Sequence, residues 1–130
     1  PAVVDGVVYF GTAHTITPFP NYLNALDAST GDVLWRYEAA GLVGSRPAVV
    51  DGVVYFGMQD TYRGTGEFQG SLYAVDASTG DLIWRYETGK DGALGEVKSP
   101  AVVDGVVYFS ANDYHVYALD LDIAQEKPAQ

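Results

Sequence analysis

The string PAVVDGVVYFG occupies residues 1–11, returns unchanged at residues 47–57, and appears again as PAVVDGVVYFS at residues 100–110. Self-similarity of this kind is the signature of a repeat architecture. A second string lies behind the first: LNALDASTGDVLWRYE at residues 23–38 and LYAVDASTGDLIWRYE at residues 72–87. In the third unit only VYALD, residues 116–120, keeps it. The units start at Pro1, Pro47 and Pro100, 46 and 53 residues apart.

Each unit parses into short strands. Asp-Gly between PAVV and VVYF is the strongest local hairpin signal, because a type I′ turn needs positive φ at both central residues. A third strand, LNALD, LYAVD or VYALD, is followed by Ala-Ser-Thr-Gly turn chemistry and a fourth strand, DVLWRYE or DLIWRYE. VVYF and AVV are apolar at successive positions, so both faces of these strands are expected to be covered, as stacked sheets cover one another. A four-strand unit with a period near the ~40–50 residues of a blade predicts an all-β fold of β-propeller blades. The expected division is blade one at 1–46, blade two at 47–99 and an incomplete, three-stranded blade three at 100–130.

Composition bounds the function. The 130 residues are 48% hydrophobic and 18% charged, which suits one globular domain rather than a disordered chain. Seventeen Asp and Glu against seven Lys and Arg give a net charge of −10, so binding to nucleic acid or to an anionic membrane surface is not expected. The chain has no cysteine, which removes disulfides, thiolate catalysis and Cys-based zinc sites. No apolar run approaches the ~18 residues of a transmembrane helix. The start at Pro1 reads as a piece of something longer.

The run Ala25-Leu26-Asp27-Ala28-Ser29-Thr30-Gly31-Asp32-Val33-Leu34-Trp35 and its copy from Ala74 to Trp84 resemble the tryptophan-docking motif of the pyrroloquinoline-quinone (PQQ) repeat β-propellers. The resemblance implies that Trp35 and Trp84 pack across to an adjacent blade over the peptides of the motif glycines, Gly31 and Gly80. It also implies that Ala25 and Ala74 leave room for the indoles. The third unit keeps Ala118 and Asp120 but departs at Leu121-Asp122-Ile123-Ala124, with neither Thr-Gly nor Trp.

Propellers close with about four to eight blades, so a three-blade chain leaves an apolar face at each end. Either further blades of a seven- or eight-bladed protein or other copies of the chain, as a homo-oligomer, would cover them. The resemblance implies two functions, and the near-identity of the copies leaves a third. One is a non-catalytic binding or scaffold platform for a protein or small ligand, like the outer-membrane assembly scaffold or extracytoplasmic sensor regions, and located outside the cytoplasm. No cofactor is expected for it. The second is a fragment of a quinoprotein dehydrogenase holding PQQ and calcium at the propeller axis, although the vicinal disulfide of such alcohol dehydrogenases has no counterpart in a chain without cysteine. The third is a purely structural or engineered repeat module.

The aspartates divide in two. Asp5, Asp51 and Asp104 sit in Asp-Gly turns, Asp27, Asp76 and Asp120 end the third strand of each unit, and Asp32 and Asp81 follow the motif glycines, all with local structural reasons to exist. Asp60, Asp91, Asp113 and Asp122 lie in unrepeated segments. His14 and His115 occupy equivalent loops of blades one and three, with blade two between them, so no metal site is expected. No catalytic residues are identified, and no phosphate-binding or nucleophile motif is present.

Antiparallel strands put the first-to-second and third-to-fourth turns on one rim and the other connections on the opposite rim. The turns recur without change in length. The second-to-third segments, residues 12–22, 58–71 and 111–115, count 11, 14 and 5 residues, and the links between units, residues 39–46 and 88–99, count 8 and 12. Loops that vary where the scaffold does not need them tend to carry binding residues. The candidate contact residues on this variable rim are His14, Phe19, Tyr22, Asp60, Tyr62, Arg63, Phe68, Asp113 and Tyr114.

Overall fold

The computed structural model describes residues 1–13, 20–39, 41–61, 68–88, 97–111 and 115–122. Eleven strands form three antiparallel sheets. Blade one contains β1 (Ala2–Val4), β2 (Val7–Gly11), β3 (Asn21–Asp27) and β4 (Val33–Ala39), hydrogen-bonded in chain order. Blade two contains β5 (Ala48–Val50), β6 (Val53–Thr61), β7 (Phe68–Asp76) and β8 (Leu82–Glu87) in the same order. Blade three contains β9 (Ala101–Val103), β10 (Val106–Ser110) and β11 (Val116–Asp120). The all-β blade architecture expected from the repeat is present.

The Asp-Gly hairpins are type I′ in backbone: Asp5, Asp51 and Asp104 have φ of 50°, 51° and 49°, and Gly6, Gly52 and Gly105 have 76°, 76° and 77°. The second turn of each complete blade is built on an aspartate. Asp27 Oδ1 accepts the Ser29 N–H at 2.8 Å, the Ser29 hydroxyl at 2.6 Å and the Thr30 N–H at 3.2 Å, and Asp76 does the same with Ser78 and Thr79. One backbone bond ties the two turns together in every unit. Ala28, Ala77 and Leu121 donate their N–H to the carbonyls of Gly6, Gly52 and Gly105 at 2.8 to 2.9 Å. Both turns of each complete blade therefore share one rim, termed here the turn rim, and the third unit keeps this bond although its sequence has changed.

The blades bury their faces on each other. Residues of β2 and β3, with Ala39 and Val43, pack on Val54, Phe56, Met58, Tyr73 and Val75 of blade two. Tyr55, Leu72, Ala74 and Trp84 of blade two pack in turn on Val107, Phe109, Ala111 and Leu121. Successive residues of β6 thus serve opposite interfaces, which is why the run VVYF shows no polar alternation. Each interface carries an aromatic group. Tyr37 meets Phe56 and Tyr73 with ring centroids 6.0 and 6.1 Å apart, and Tyr86 meets Phe109 and Tyr117 at 6.4 and 6.2 Å.

A β-bulge recurs at Ala25/Leu26 and at Ala74/Val75, leaving Leu34 and Ile83 out of register and placing Trp35 opposite Ala25 and Trp84 opposite Ala74. Trp35 lies over blade two: its Nε1–H donates to the Ala77 carbonyl at 2.9 Å, and a Cβ built on Gly80 would stand 2.6 Å from Cε3 of the indole. Ala25 and Ala74 are fully buried. The two indoles differ in surroundings. Trp84 is 3% exposed, whereas Trp35 is half-buried. Leu121 stands in the third unit where Ala77 stands in the second, and its larger side chain packs in the same cluster as Trp84. The Trp84 Nε1–H is buried without a hydrogen-bond partner among the described residues.

Gly31 and Gly80 separate backbone strain from packing. Both have positive φ, 78° and 80°, but a Cβ on Gly31 meets nothing within 4 Å. Gly31→Ala is expected to cost about 1–2 kcal/mol from the left-handed backbone alone. Gly80→Ala is expected to cost about 1–2 kcal/mol more, because the added methyl displaces a rigid ring. Paired urea denaturation curves check the difference; equal costs would mean that the indole does not rest on Gly80.

Candidate functional site

The opposite rim, termed here the loop rim, is assembled from strand ends and the links between blades. Its base is closely pinned. The link after β4 returns over Gly11 of β2, and the link after β8 returns over Gly57 of β6. A Cβ on Gly11 would lie 2.3 Å from the Val43 carbonyl oxygen, and one on Gly57 would lie 2.3 Å from that of Val97. Only glycine allows a backbone so near. The links also hydrogen-bond to what they cross. Leu42 exchanges two backbone bonds with Gln59, Val43 donates to the Thr12 carbonyl, and Lys98 donates to the Ser110 carbonyl. Ser45 Oγ accepts the Gly57 N–H at 2.7 Å and lies 3.1 Å from the Gly57 carbonyl, while Ser99 Oγ accepts the Arg46 N–H at 2.8 Å.

This rim is narrower in loop than the sequence suggests. Segment 58–71, expected to be a connection of 14 residues, is strand at both ends: Met58, Gln59, Asp60 and Thr61 pair with Ser71, Gly70, Gln69 and Phe68. The hairpin continues because the Leu42 strap and the bonds from Thr88 to the Gly70 carbonyl give its extended backbone partners. Asn21 and Tyr22, also assigned to a connection by sequence, lie in β3 opposite Ala39 and Glu38.

Among the candidate contact residues, Tyr22 is half-buried on β3 with the Arg36 guanidinium 5.5 Å from its ring centroid. Asp60 and Phe68 occupy facing ends of β6 and β7. Tyr22 therefore belongs to blade one, and Asp60 and Phe68 to blade two. His14, Phe19, Tyr62, Arg63, Asp113 and Tyr114 lie outside the described residues. His115 starts beside β11 with its ring 6.3 Å from that of Tyr117.

A cavity of about 470 Å³ opens on the same side, between the end of β2 and the first link. Phe10, Gly11, Ala13, Val43, Ser45 and Arg46 contribute to its wall. Arg46 is exposed and brings a positively charged side chain to that lining. Sequence reasoning counted this link as variable but selected none of its residues. The signal was a glycine ending VVYF in the two units that have a following link over it, and a serine in the third.

The turn rim is chemically different. Hydrogen bonds from the Ser29 hydroxyl and N–H, and then from Thr30, hold the Asp27 carboxyl below its ordinary value of 3.8, and the Ser78 hydroxyl and N–H do the same for Asp76. A lowered folded pKa contributes stability above the unfolded value that is lost as pH falls through the folded value. These turns should leave stability flat with pH above about 5 and contribute to its loss below about 4. The double variant Ser29→Ala/Ser78→Ala should weaken that acid-side slope, read as Tm between pH 2 and pH 6. An unchanged slope would contradict the assignment.

Among the described residues, no three His, Asp or Glu side chains are grouped to hold an ion. Among the same residues, no helix is long and apolar enough to cross a membrane.

Stacked four-stranded sheets with a bulge-set tryptophan on each fourth strand define a segment of a β-propeller of the PQQ-repeat class. The family model described as outer membrane protein assembly factor BamB matches residues 1–122, and the chain belongs to that family. Two solved dehydrogenase structures agree on the fold. A europium-containing methanol dehydrogenase is 20% identical with a TM-score of 0.69, covering 94% of this chain and 22% of that one. The quinohemoprotein alcohol dehydrogenase ADHIIG from Pseudomonas putida HK5 is 30% identical with a TM-score of 0.65, covering 93% of this chain and 18% of that one. BamB from Moraxella catarrhalis is 16% identical with a TM-score of 0.41, covering 84% of this chain and 48% of that one. The chain thus spans about a fifth of the length of the two dehydrogenases. No curated protein matches.

Proposed function

We propose that this chain is a non-catalytic platform that binds a protein or small ligand through its loop rim, outside the cytoplasm. The observation that carries this reading is the contrast between rims. Turns tied by the same backbone bonds recur on one side, while every change of length falls on the other. A rigid scaffold that varies only at one edge is the arrangement of loop-based recognition. Membership of a family described by an outer membrane assembly factor supports a protein partner and an extracytoplasmic location.

Photo-crosslinking tests the reading. A benzophenone amino acid at position 19 or 62 should capture a partner in expressing cells, and the same group at position 29 or 78 should not. Capture from the turn rim alone would overturn it.

The 30% identity to a quinohemoprotein alcohol dehydrogenase favours a second reading, a segment of a quinoprotein dehydrogenase. Adding PQQ and calcium to the purified chain and recording the quinone absorbance tests that reading. A saturable spectral change would support it, and an unchanged spectrum would count against a site on this chain.

A further inference from the structure

We draw no further inference here: the strongest candidate, the cavity of about 470 Å³ between the end of β2 and the first link with Arg46 on its wall, carries nothing because the Gly57 backbone, at the place in blade two that matches Gly11 of this wall, is taken up by the Ser45 hydroxyl of the preceding link, and nothing in the structure tells a ligand site over Gly11 from the seat of such a link.

Discussion

Trp84→Ala is expected to lower stability by about 3–5 kcal/mol, the range for emptying a large buried aromatic site. The indole is 3% exposed and packs between Tyr55, at a centroid distance of 5.9 Å, and the Val107, Phe109 and Leu121 group of blade three. Its loss opens a space that close-packed sheets fill poorly. No hydrogen bond to a described residue is lost with it, because the buried Nε1–H has no partner among them. Phenylalanine separates the two contributions. Trp84→Phe removes an unsatisfied donor and should cost less than about 1 kcal/mol, whereas Trp35→Phe also breaks the bond to the Ala77 carbonyl and should cost about 1 kcal/mol more. Guanidinium denaturation of the three variants measures this. Equal costs for the two phenylalanine variants would show that the indoles are equivalent.

Gly57→Ala is expected to cost about 3 kcal/mol or more. A methyl in the core is often accommodated by shifting a side chain, at about 1–3 kcal/mol. Here the nearest atoms belong to the backbone: the Val97 carbonyl oxygen at 2.3 Å and carbon at 2.9 Å. Moving Val97 breaks its bridge to Ala111 and disturbs the Lys98 bond to the Ser110 carbonyl, which hold the link to blade three. Gly57 cannot retreat either, since Ser45 Oγ holds its N–H from the first link. Hydrogen exchange should show blade three losing protection before blade one. Gly6→Ala is the control, since a Cβ there meets nothing within 4 Å. A Gly57→Ala variant no less stable than Gly6→Ala would contradict the close crossing.

The strand order was legible because each signal is local and chemically exclusive. Asp-Gly admits few conformations other than the I′ turn found three times, and aspartate followed by Ser-Thr builds its own turn. Apolar runs without alternation gave the two-sided burial of β6. Interactions between units were less legible. Nothing in the string Asp60 to Phe68 announces that β6 and β7 continue past the repeat, because their extra pairing is supported by a strap from a different blade. The exposure of Trp35 relative to Trp84 depends on whether alanine or leucine stands in the next unit's turn, 42 residues away in the first case. Of the candidate contacts, the sequence identified the rim but not the cavity beside Arg46, whose walls come from a link read only for its length.

The loop-rim assignment is tested most directly by the double variant Tyr62→Ser/Phe68→Ser, scored for partner capture by a benzophenone group at position 19 and for Tm on the same sample. Capture should disappear while Tm stays at the value of the unaltered chain. Capture that persists in this variant, and is lost instead when Ser29 and Ser78 are replaced on the turn rim, would contradict the assignment.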